Sequence, residues 1–130
     1  MKLETEEWVR IAEEELKSAD LLFGNGIYRM VCLHSQQAVE KILKALLTEQ
    51  DIEFRKTHNI VDLGALLKTQ GLTLNLNHEE AGFLNAVYRS RYPPEAGLLP
   101  HGEPTRDDAG KALAIARRVV AEGKRMLTAH

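Results

Sequence analysis

Cysteine, aromatic residues and proline are all scarce in this chain, and each scarcity excludes something. One cysteine, Cys32, in 130 residues rules out an internal disulfide and cannot by itself form a zinc cluster. Buried free thiols are commonly inert, and that is the expectation for it. Aromatics make up 5% of the residues, and β-branched residues never alternate over the length of a strand, so a sheet has no sequence support. No apolar run is long enough to span a bilayer. The opening "MKLETEEWVR" is acidic and amphipathic, unlike a secretory signal, so a cytoplasmic location without membrane attachment is expected. Charge of one sign is also missing: the net charge is −2 and the pI about 6.2, so any nucleic-acid contact is local. All four prolines, Pro93, Pro94, Pro100 and Pro104, fall in "PPEAGLLPHGEP".

What is present is helical periodicity. Apolar residues are 44% and recur at spacings of three and four, in a chain whose length suits one domain over residues 1–130. A first helix is predicted from about Glu4 to Phe23, with Trp8, Ile11, Ala12, Ala19, Leu22 and Phe23 on one stripe, and "GNG" stops it. A second, from about Ile27 to Glu49, folds back antiparallel because the turn is so short. Asn59 with Asp62 opens a short third helix, "IVDLGALLKTQ", which Gly71 ends. Asn77 with Glu80 opens a fourth, reaching about Tyr92 before proline breaks it. Thr105, with Asp107 and Asp108 in the first turn, caps a fifth helix to about Leu127. Its stripe, Ala109, Ala112, Leu113, Ala116, Val120, Gly123 and Leu127, is small enough for close helix approach, within the bundle or across a dimer seam. The expected fold is an all-α, antiparallel four- to five-helix up-and-down bundle.

The polar residues of the second helix decide whether it carries a site. Ile27, Val31, His34, Ala38, Ile42 and Ala45 share a stripe, so His34 interrupts an apolar face. It is either a core histidine satisfied by a hydrogen bond or a functional group. Arg29 lies five residues earlier, and arginine with histidine suits phosphate chemistry, since one binds the anion and the other moves a proton. Five steps of continuous helix separate them by about 140° and about 7.5 Å along the axis, so they do not converge. Glu40 and Lys44 stand at i and i+4 in the favourable order, as expected of a solvated helix pair. Gln36 and Gln37 are candidates for hydrogen bonds between helices.

"EEWVRIAEEELKSADLLFGNGIYRMVCLHSQQAVEKILKALL", "KTHNIVDLGALL" and "AVYRSRYPPE" together, in this order and spacing, resemble the HEPN domain family over nearly the whole chain. Gln37, Ala38, Glu40, Lys41, Lys44 and Ala45 carry the most specific part, with His58 before the third helix and Arg91, Tyr92 and Pro93 at the end of the fourth. The resemblance implies a helical homodimer. It also implies a minimal nucleotidyltransferase partner in a toxin–antitoxin-like pair, and nucleotide binding. Many such proteins are metal-independent ribonucleases with an arginine, four to six intervening residues and a histidine, placed late in the domain. Here the late arginines, Arg89 and Arg91, have no histidine until His101, and the spacing is met by Arg29 and His34 in an early helix.

The candidate phosphate or nucleotide ligands are therefore Arg29, Arg55, Lys56, His58, Arg89 and Arg91, and the catalytic candidates are His34, His58 and Arg91. "FRKTH" gathers three of them in one loop, where they either converge on an anion or form a solvated charge run. Arg91 shares a stripe with Leu84, Val87 and Tyr88, so a salt bridge to Glu40 or another carboxylate competes with a ligand role. Metal and cofactor are not expected: no His/Cys or His/Glu spacing recurs on one face, no glycine loop cradles phosphate, and no serine has a histidine and acid in arrangement. The expected function is a dimeric binding and interaction module. The alternatives are a metal-independent endoribonuclease and a purely structural helical dimer.

Overall fold

The computed structural model describes residues 1–54, 57, 59–89 and 103–129, with the backbone alone at 89. Five helices and no strand occur among them: α1 Leu3–Gly24, α2 Tyr28–Glu49, α3 Ile60–Lys68, α4 His78–Arg89 and α5 Arg106–Thr128.

Local chemistry sets the helix ends. At "GNG" the amide of Ile27 donates to Leu22 O and that of Gly26 to Phe23 O, with Gly26 at φ +73°, so the last carbonyls of α1 are satisfied by a left-handed stop. Gly71, at φ +75°, closes the turn after α3 in the same way. The third stop of this kind has no glycine: Asp51, at φ +56°, follows α2, with Ile52 N donating to Leu47 O. At the N-termini, Asn59 Oδ1 accepts from Val61 N. Asn77 and Glu80 cap each other reciprocally, as do Thr105 and Asp108. The first residue of the predicted second helix is displaced: Ile27 precedes α2 and is 45% exposed rather than on its buried stripe.

α2 is the central element and packs against each of the other four. Its apolar face, including Val31, Val39, Ile42, Leu43 and Leu47, is fully buried. α1 lies antiparallel to it, since Thr5 meets Glu49 and Glu15 meets His34. α5 is antiparallel to α1, with Lys124 on Glu13 and Arg117 on Asp20. The whole predicted stripe of α5 is buried. A Cβ on Gly123 comes within 2.5 Å of Ile42 Cγ1, so the close approach made by these small residues lies between α5 and α2 inside the bundle. Cys32 is buried, and burial pushes its thiol up to about 12, an inert group at neutral pH.

Candidate functional site

The polar interior is concentrated where α1, α2 and the segment after α2 meet. Glu40 and Lys44 are 3% and 4% exposed. The expected solvated pair is thus a buried one, because Trp8 of α1 and Phe54 close over it. One oxygen, Glu40 Oε2, accepts from Lys41 Nζ at 2.8 Å and Lys44 Nζ at 3.2 Å. Burial alone raises this acid, but the two ammonium groups outweigh it and hold the carboxyl below its ordinary range. Lys41 and Lys44 also stand over the Trp8 ring, at 5.7 and 5.5 Å from its centroid, and Lys44 lies 5.7 Å from that of Phe54. The two rings meet edge to face at 6.1 Å. Trp8 Nε1 is buried and donates to no acceptor among the described residues.

Chemically, the Glu40 carboxylate gathers two ammonium groups against the rings of Trp8 and Phe54. Arg55, Lys56 and His58 follow Phe54 in the sequence and lie outside the described residues. Phe54 also lines a surface pocket together with Glu4, Asp51 and Glu53, where Asp51 is paired with Lys2.

The two candidates within α2 are held apart. His34 Nδ1 lies 2.7 Å from Glu15 Oε1 on α1, with both side chains about one-fifth exposed. Arg29 is paired with Glu103, just before α5. Arg91 and His101 lie outside the described residues, as do Ser90 and the proline segment to 102, and Arg89 ends α4. Gln37 bonds its own neighbour Gln36 at 2.7 Å rather than another helix. Arg118 of α5 reaches Asn75 O at 2.8 Å and Glu80 at 2.6 Å. Among the described residues no group of three or more His, Cys, Asp or Glu side chains is placed to hold a metal ion, and no helix is long and apolar enough to cross a membrane.

Sequence reasoning missed the Trp8, Lys41, Lys44 and Phe54 cluster as a unit. A signal existed in Trp8 on the inward stripe of the first helix, but its partners are set by the packing of three elements.

An antiparallel helical bundle with a buried Glu–Lys cluster on its central helix is the class of protein these features define. The chain belongs to the HEPN domain family, whose model matches residues 5–126. No curated protein matches it. Among solved structures it is similar to ST0689, an archaeal HEPN homologue, at 28% identity and a TM-score of 0.70, covering 98% of this chain and 100% of that one. It is also similar to TT1696 from Thermus thermophilus, at 26% identity and a TM-score of 0.74, covering 95% and 98%. A HEPN domain protein from Thermotoga maritima shares the fold at 17% identity and a TM-score of 0.71, covering 95% and 99%.

Proposed function

We propose that this HEPN chain is a binding and interaction module: a homodimer that engages a minimal nucleotidyltransferase partner and takes a nucleotide or RNA phosphate as its small ligand. The observation that carries binding over cleavage is the separate commitment of Arg29 and His34 to carboxylates on different neighbours, Glu103 and Glu15. A nuclease needs the cation and the proton-transfer group on one phosphate. Lys41, over the Trp8 ring and beside the basic run that follows Phe54 in sequence, supports an anion site nearby, with Arg55, Lys56, His58, Arg89 and Arg91 as its proposed ligands. Arg29 joins them where the anion replaces Glu103.

The test is co-expression with a minimal nucleotidyltransferase, followed by size exclusion with light scattering and calorimetric titration with ATP. Co-elution of the two proteins, and ATP binding weakened about tenfold by Arg55→Ala with Lys56→Ala, support the reading. RNA cleavage in EDTA, lost on His34→Ala or Arg91→Ala with the fold retained, replaces it with the ribonuclease. A monomer that neither co-elutes nor binds ATP defeats it.

A further inference from the structure

A second feature lies elsewhere on the bundle. Between α3 and the segment leading into α4 there is a cleft of about 260 Å³. Leu43, Ile60 and Leu67, each at most 1% exposed, form its floor, and the leucines of the α3–α4 connector form the facing wall. The space equals roughly nine water-sized groups, which suits an alkyl chain of moderate length.

The polar side chains at the mouth are a lysine, an asparagine and a histidine. Lys68, Asn77 and His78 are exposed there, and no carboxylate among the described residues lines the cleft. Neither Lys68 nor His78 makes a side-chain hydrogen bond or ion pair among the described residues. Lys68 is therefore a cation free to meet an anion at the edge of an apolar hole.

Gly64 points the same way. It lies inside α3, where glycine weakens a helix relative to alanine, and its backbone has no positive φ to justify it. A Cβ built on it meets nothing within 4 Å among the described residues, so packing against them does not demand the small residue. Its effect is to leave the backbone bare along the cleft, where an occupant can come close. The facing wall is also preformed: Arg118 holds Asn75 O and Glu80 from behind, and Glu80 in turn caps Asn77.

We propose that this cleft binds a medium-chain aliphatic carboxylate, its chain against Gly64 and the leucines and its carboxylate on Lys68. Calorimetric titration of the full chain with octanoate, below the concentration at which octanoate forms micelles, tests it. Saturable one-to-one binding is expected. Lys68→Ala weakens octanoate about tenfold and changes the binding of neutral 1-octanol less than about twofold. Gly64→Leu fills the cleft and abolishes both, while circular dichroism and the unfolding midpoint show the fold intact; Gly64→Ala, which takes less of the space, retains part of the binding. Absence of saturable octanoate binding overturns the proposal, as does binding that survives Gly64→Leu. Equal loss of octanoate and octanol in Lys68→Ala overturns the role of the charge. A co-purifying protein lost on Gly64→Leu, with no octanoate binding, assigns the cleft to a protein partner and also sinks it.

Discussion

The carboxylate of Glu40 sits in the interior with two ammonium groups on a single oxygen. Removing its charge takes the shared carboxylate from both lysines in a largely buried site, so Glu40→Gln is expected to cost about 3 kcal/mol, read from urea unfolding midpoints. The acid dependence follows from the same contacts. Its folded pKa lies below the unfolded one, so the pair's contribution is complete above the ordinary carboxylate range of about 4 and drains away as pH falls through the lowered value. A urea series from neutral pH downward should therefore show stability falling more steeply below about pH 4 in the natural chain than in Glu40→Gln. Equal slopes remove Glu40 from the account. His34 is a smaller case: loss of its bond to Glu15 in His34→Ala costs about 1 kcal/mol, and a double-mutant cycle with Glu15→Ala separates that bond from the lost packing. Helix angles were enough to separate Arg29 from His34 in the sequence. They were silent on Glu40 and Lys44, because an i,i+4 pair has the same spacing in water as under an indole ring. What buries it is Trp8, more than thirty positions earlier in the chain.

Helix ends and faces were the most legible part of the chain, since caps and stripes are written in local residue order. Asn77 with Glu80 and Thr105 with Asp108 act as reciprocal caps, and the small-residue stripe of α5 is buried throughout. Whether that stripe met another helix or another subunit was not legible, because smallness permits an approach without naming the partner. Ile42 is the partner at Gly123, and the consequence is measurable. Gly123→Ala drives its new methyl into Ile42 Cγ1, forces α5 off α2 and is expected to destabilise by about 2 kcal/mol in chemical denaturation. Combining it with Ile42→Ala should cost less than the sum of the two, because the space freed by one accepts the other. At the end of α2 the opposite change is expected to help. Asp51 holds the left-handed conformation that glycine takes at the corresponding position after α1, and its ion pair with Lys2 is largely exposed. Asp51→Gly should raise the thermal midpoint, by the equivalent of about 0.5 kcal/mol, and Asp51→Ala should lower it. A fall in both variants would mean that the ion pair outweighs the backbone.

For the whole molecule, the unequal share of packing among the helices sets how it opens. α2 touches every other helix and buries an apolar face along most of its length, so no part of it can unwind without exposing the contacts of its neighbours. α3 spans nine residues, buries Ile60, Leu63 and Leu67, and leaves its Gly64 flank beside open space. A helix that short gains little from its own hydrogen bonds and depends on one packed edge. Exchange of backbone amides is expected to separate the two. Amides of α2 from Val39 to Leu47 should exchange only through global unfolding, with a free energy that falls steeply as urea is added. Those of α3 should exchange through a local opening that urea scarcely changes, and more slowly than before once Gly64→Ala strengthens the helix. Native-state hydrogen exchange, followed by two-dimensional NMR across a series of low urea concentrations, reads both quantities for each amide. If the α3 amides instead converge on the α2 free energy from the outset, the bundle opens as one unit. The open flank at Gly64 is then no weakness of the fold, and the cleft wall is as rigid as the core behind it.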